Sequence, residues 1–206
     1  MSAVPAVLMR RNVHRGPDKA RATARRGTVV VPRHSSIRSG AGLVRPATAA
    51  DVDAIHELIT ANLAAGHLLP RRWEEIAAHL DRFIVAIVDG QVVACADLAP
   101  LSRAVAEVRS LIVAENARFG GIGRRLLNEL IARASVAGFE KLCAFTHSPA
   151  YFVQMGFSIV PHVWLPEKIA TDCSSCAQFR TCGQYAVVLP LGRARYSDVP
   201  LASLHG

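Results

Sequence analysis

Acidic side chains are nearly absent from the start of this 206-residue sequence: residues 1–43 hold one, Asp18, against nine Lys and Arg. That segment carries the whole formal net charge of +8, because the remainder keeps 15 of the 24 basic and 15 of the 16 acidic residues. A neutral body argues against a nucleic-acid partner, which needs a basic face or arm; only residues 1–42 would supply one. Long hydrophobic runs are missing too. Residues 142–166 contain no Asp, Glu, Lys or Arg, yet Pro149, Gly156, Pro161, Pro166 and two histidines interrupt them, so no membrane span is expected. Met1–Arg15 lacks the apolar core of a secretory signal. Cysteine is scarce, and its number, five, is odd. Without a secretion signal this disfavours a disulfide framework and points to a reducing, cytoplasmic setting. Neither Gly-x-x-x-x-Gly-Lys-Ser/Thr nor Gly-x-Gly-x-x-Gly occurs, which excludes the P-loop and the dinucleotide fingerprint.

What is present divides the chain into three. Residues 1–42 are rich in Arg, Ala, Gly, Pro and Ser without an apolar period, and read as a disordered basic extension. A dispensable or mis-started N-terminus is the favoured reading there, ahead of an organellar transit peptide of similar composition. Residues 43–191 form the folded domain, and 192–206 a C-terminal tail. Leu43–Pro46 reads as a strand. Thr48 and Asp51 mark a helix start, and Val52, Ile55, Leu58, Ile59 and Leu63 recur at helical spacing up to Gly66. A second helix is expected over Arg72–Leu80, with Trp73, Ile76 and Leu80 on one side. Phe83–Val88 and Val92–Leu98 flank Asp89-Gly90, a hairpin signal because both turn positions need positive φ. Ala106–Val113 is a strand, Gly121–Ala137 a helix, Lys141–Thr146 a strand and Pro149–Met155 a short helix. Phe157–Val160 and Tyr185–Leu189 close the domain as strands. Hairpins first and a β-α-β unit later give a mixed-sheet α/β fold.

The chemistry concentrates where Ser110-Leu111-Ile112-Val113 leads into Arg118-Phe119-Gly120-Gly121-Ile122-Gly123-Arg124. A helix N-terminus offers unpaired N–H groups and partial positive charge. Glycines allow an anion to approach the backbone, and Arg118 and Arg124 add full charges. The combination suits a diphosphate.

Arg-x-x-Gly-x-Gly after the strand Ala106–Val113, ahead of an amphipathic helix and a later Gly156-Phe157 pair, resembles the GNAT superfamily of N-acetyltransferases over residues 43–191. The resemblance implies a mostly antiparallel, splayed sheet flanked by helices, with acetyl-CoA as co-substrate. It also implies that Leu111, Ile112 and Val113 pair with the pantetheine arm and that residues 118–124 bind the diphosphate. Leu69-Pro70-Arg71-Arg72, Glu107-Val108-Arg109, Lys141–Thr146, Phe152-x-x-x-Gly156-Phe157 and Leu165-Pro166-Glu167-Lys168 are together similar to short-form N-acetylglutamate synthases, which open arginine biosynthesis. That likeness implies an amino-acid acceptor, L-glutamate, gripped by Arg71 and Lys141, with Arg109 as a third candidate. Glu107 is the candidate base, since the amine must lose a proton to attack. Tyr151 is the candidate acid, although the family's usual tyrosine position holds Phe152. The stretch Cys182–Tyr185 lacks the arginines that longer synthases carry there, so L-glutamine stands as the alternative acceptor. A non-catalytic sensor of acetyl-CoA or an amino acid is the rival reading. A homodimer stays open.

Cys173-x-x-Cys176-x5-Cys182 offers three thiols, and zinc prefers four ligands. No metal is the expectation, with zinc on Cys173, Cys176 and Cys182 as the minority reading. Cys95 and Cys143 lie in apolar strands and read as core.

Overall fold

The computed structural model describes residues 42–63, 68–176 and 178–192. The extension through residue 41, the end of the first helix at Gly66 and the tail after Gly192 lie outside the described residues. In chain order the elements are β1 (Leu43–Pro46), α1 (Val52–Ala61), α2 (Trp73–Ala78), β2 (Phe83–Val88), β3 (Gln91–Pro100) and β4 (Val105–Val113). There follow α3 (Ile122–Val136), β5 (Lys141–Thr146), α4 (Pro149–Gln154), β6 (Ser158–Val160), α5 (Pro166–Thr171) and β7 (Tyr185–Pro190). The strands make one seven-stranded sheet in the order β1-β2-β3-β4-β5-β7-β6. Every pairing is antiparallel except β4 with β5, which α3 connects.

Both faces of the sheet are covered, and β2 shows how its sequence achieves this. Successive strand side chains point to opposite faces. Ile84, Ala86 and Val88 join a core with Leu126, Leu127 and Leu130 of α3 and with Phe152 and Phe157. Phe83 and Val85 join a second core with Val52, Ile55 and Ile59 of α1 and Ile76 of α2. A strand buried on both sides is necessarily apolar throughout, as Phe-Ile-Val-Ala-Ile-Val is. Asp89 and Gly90 turn the chain with φ of 50° and 78°, as the hairpin signal requires.

The second helix departs from expectation. It is only six residues long, and Trp73 is largely exposed instead of sharing the buried side of Ile76. Its indole N–H donates to Asp53 at 2.7 Å, which holds the ring on the surface between α1 and α2. α5 and the short 3-10 turns on either side of it had no expected counterpart. They bury Leu165 against Val105, Cys143 and Ala186 on the β5–β7 part of the sheet.

Asp51 fastens the entry to α1. Its carboxylate accepts two hydrogen bonds from Arg45, at 2.6 and 2.9 Å, and others from the Thr48 N–H and hydroxyl. These donors, Arg45 foremost, hold the carboxyl below its ordinary range. The stabilisation is therefore complete above the unfolded-state value near about 4 and is lost as pH falls below it. Asp51→Asn is expected to destabilise the fold by about 1–3 kcal/mol at pH 7. In thermal melts the difference from the parent should close as the pH falls from about 5 to 2; a difference constant with pH would contradict the assignment.

Candidate active site

Two features of β4 open the sheet. Its parallel pairing with β5 covers only Val105–Val108 against Lys141–Ala144, after which the strands part. On its other edge, β4 uses three steps from Arg109 to Ile112 while β3 uses two from Asp97 to Cys95. The extra residue is a β-bulge, and Ser110 supplies it with φ 48°. A left-handed conformation is costly for serine, and the Cys95 thiol donates to the Ser110 carbonyl at 3.6 Å. Past Val108, the β4 edge facing β5 keeps backbone groups that need a partner. The gap widens into a cleft of about 880 Å³ lined by Glu107–Val113, Ala144–Ser148, Tyr151, Lys168 and Asp172. Asn62 and Arg71 line it from the α1–α2 side.

The expected phosphate loop closes one end. Gly121 caps α3 at φ 73°, and no side chain caps the helix N-terminus. A Cβ at Gly121 would meet nothing, so backbone conformation alone demands glycine there. At Gly123 the demand is space: a Cβ would lie 3.2 Å from the Tyr151 hydroxyl and 3.5 Å from Val113. Arg118 reaches across the cleft wall, donating to the Val113 carbonyl and to Asn62, both at 3.2 Å. The other loop residues divide by direction. Ile122 turns into the core, Phe119 stands fully exposed at φ 68°, and Gly120 and Arg124 are exposed. Leu111, Ile112 and Val113 all line the cleft. The Tyr151 hydroxyl is buried without a hydrogen-bond partner, and burial pushes its pKa up, so it remains a proton donor at neutral pH. It sits against Gly123, at the loop end of the cleft.

The other end is built of charge. Glu107 is 3% exposed. Its carboxylate accepts from Lys168 at 2.7 and 2.8 Å and from Arg109 at 2.6 Å. Arg109 and Lys168 both also pair with Asp172, and Lys168 lies 5.1 Å above the Phe145 ring. Arg71 pairs with Glu75 and, at 3.5 Å, with Asp97. Thus Arg71, Arg109 and Glu107 come together as the sequence suggested. Lys141 does not. It is exposed at the start of β5, opposite Val105, three residues before the strands part, and is no part of the cleft wall. Lys168, to which the sequence assigned no role, lines the cleft at this end instead. Its segment, Leu165–Lys168, was visible in the sequence, but only the packing of Leu165 under the sheet aims the lysine at Glu107.

Among the described residues no three His, Cys, Asp or Glu side chains are arranged to hold a metal ion. Cys173 and Cys176 are half-buried and Cys182 is exposed, all as free thiols. Burial pushes the thiols of Cys95 and Cys143 up to about 12, which suits core residues and not nucleophiles. No described helix is long and apolar enough to cross a membrane.

Similarity to known proteins agrees with this geometry. The profile of the acetyltransferase (GNAT) family matches residues 52–157. An uncharacterized N-acetyltransferase of Chlorobaculum tepidum is 34% identical over 148 residues, 72% of this chain and 96% of that protein. The amino-acid acetyltransferase of Pectobacterium carotovorum is 32% identical over 134 residues, 64% of this chain and 30% of its own length. The structure of N-acetylglutamate synthase from Neisseria gonorrhoeae, complexed with coenzyme A and N-acetyl-glutamate, matches with a TM-score of 0.67 at 29% identity. That match covers 73% of this chain and 35% of the synthase. The chain therefore spans nearly all of the first relative and about a third of the other two.

Proposed function

We infer the reaction from one premise: the chain belongs to the acetyltransferase (GNAT) family. We propose that it moves the acetyl group of acetyl-CoA to the α-amine of a free amino acid, with L-glutamate as the first reading. The observation that carries this is one cleft with two unlike ends. A diphosphate-sized cradle at Gly121–Gly123 lies at one end, and the cations Arg71, Arg109 and Lys168 at the other. Both the amino-acid acetyltransferases and the gonococcal synthase support an amino-acid acceptor.

The residues fit acetyl-CoA. Unpaired amides at the start of α3 face a diphosphate, Gly123 lets it approach, and the open β4 edge can pair with an amide-bearing arm. Such an arm laid along β4 brings the thioester toward the bulge. The acceptor nitrogen then attacks the thioester carbon, the N–C bond forms and the C–S bond breaks. An ammonium must first lose its proton. Glu107 uses three of its roughly four lone-pair positions on Lys168 and Arg109, so it receives that proton through its one remaining position, directly or by a water. The departing thiolate, whose conjugate acid has a pKa of about 8–9, takes up the second proton, which the nitrogen sheds on becoming an amide, without a dedicated acid. Tyr151, whose hydroxyl lies beside Gly123, is the candidate donor from the loop end of the cleft.

A second reading, L-glutamine, rests on charge. Each of Arg71, Arg109 and Lys168 already has carboxylate partners. Two of those, Glu75 and Asp172, are about one-third exposed at the side chain and can be displaced by an acceptor's α-carboxylate. Glutamate needs two such displacements and glutamine one. The test is to incubate the full chain with acetyl-CoA and either amino acid and to identify the product by mass spectrometry and NMR. Acetyl on the α-nitrogen is the expected result. No acetylated amino acid would sink the reading.

A further inference from the structure

Behind the cleft lies a second, smaller cavity of about 90 Å³, sharing Arg71, Glu75 and Arg109 with it. His79, Arg82 and Asp97 complete its polar wall. Asp97, on β3 opposite Arg109, is 3% exposed, and its Oδ1 is buried with no hydrogen-bond partner. An orphan oxygen on a buried carboxylate is costly and rare enough to need an explanation. The Arg82 guanidinium also makes no hydrogen bond or ion pair among the described residues, although it is close enough to act on the Asp97 charge. One acceptor and one donor are therefore left open on the wall of a cavity with room for about three waters. A carboxylate complements only the arginine. A carboxamide complements both, its C=O accepting from Arg82 and its NH2 donating to Asp97 Oδ1.

We infer that this small cavity is the side-chain subsite of the acceptor and that Asp97 and Arg82 read a terminal carboxamide there. The inference rests on the amino-acid acceptor proposed above and decides between its two readings in favour of glutamine. A glutamate side chain would set a second carboxylate beside Asp97, and like charges at that range in a buried site repel strongly. Protonation of Asp97 removes the repulsion and turns the carboxyl into a donor. Burial first of all, against the opposing pull of Arg71, Arg109 and Arg82 and with Glu107 adding to the rise, puts its pKa at about 6. Glu75 on α2, His79 just after it and Cys95 on the same strand are the other titratable groups near it. Discrimination against glutamate should accordingly weaken below that pH.

The experiment is a set of initial rates for the full chain with acetyl-CoA and L-glutamine or L-glutamate, read as the ratio of the two kcat/KM values. The α-amines titrate alike, so their protonation cancels in the ratio. For the parent protein at pH 7.5 the ratio is expected to favour glutamine by about 10-fold or more and to fall as the pH is lowered to 5.5. In Asp97→Asn, which presents an amide N–H2 to the subsite, the ratio should drop by about 10-fold or more, mainly through KM, and become flat with pH. Arg82→Met should raise KM for both amino acids, because both offer it an oxygen. A ratio that Asp97→Asn leaves within about twofold, or a parent ratio independent of pH, would overturn the subsite while leaving an amino-acid acetyltransferase standing. A role for Asp97 confined to bracing Arg71 would slow both acceptors equally and move neither ratio nor pH profile. Acetylation of neither amino acid would overturn both proposals. If Asp97→Asn does not fold, the parent pH profile and Arg82→Met carry the test.

Discussion

Glu107→Gln is expected to lower kcat/KM for the amino acid by about 10²–10⁴-fold, the range that a positioned proton acceptor supplies. Three features of this one carboxylate support the role. It lies on β4 just before the splay, it is nearly inaccessible, and it orders both Lys168 and Arg109 at the acceptor end. An amide of the same shape keeps the volume but neither accepts a proton nor balances two cations. Arg109 and Lys168 retain Asp172, so the variant should still fold, at a cost of about 1–3 kcal/mol. Binding of coenzyme A, which depends on the far end of the cleft, should stay within about threefold. A variant that loses coenzyme A binding along with turnover would show the two ends to be inseparable, against this account. One that keeps full turnover would remove Glu107 from the chemistry.

Gly123→Val is expected to weaken coenzyme A binding by about 100-fold or more while leaving the fold intact. A Cβ at this position already stands 3.2 Å from the Tyr151 hydroxyl, and two further methyl groups would occupy the space in front of the first α3 amides. Those amides are the proposed anion site, which would rely on close backbone approach. Gly121→Ala makes the useful contrast. Its Cβ meets nothing, but its φ of 73° is costly for alanine, so about 1–2 kcal/mol of stability should go while coenzyme A binding is largely retained. Titration calorimetry on both variants distinguishes obstruction from strain. Equal losses of affinity in the two would contradict the separate roles given to these glycines.

Much of this fold was legible in the sequence because its signals are local. Alternation cannot be seen in β2, yet its unbroken apolar run beside Asp89-Gly90 announces a strand buried on both faces, and the hairpin follows. The loop at Arg118–Gly123 was legible for the same reason: a left-handed Gly121 and a Gly123 with little room for a Cβ are local demands that glycine meets. The acceptor end was less so. Lys141 looked suitable by its neighbours in sequence, but parallel register sets it opposite Val105, at the wrong end of the strand. Lys168 and Asp97 are brought in by tertiary packing, from the short helix α5 and from a strand that is otherwise apolar beyond its first residue, Gln91. The bulge at Ser110 carries no glycine or other local mark, so the extra residue that redirects β4 appears only in the strand register.

Release of free thiol from acetyl-CoA by the full chain, measured against a panel of amino acids and other small amines, tests the central claim most directly. Rapid release with glutamine and glutamate, absent with simple amines that lack an α-carboxylate, is the expected result. Release that is no faster with either amino acid than in their absence, or fastest with an amine bearing no carboxylate, would contradict it.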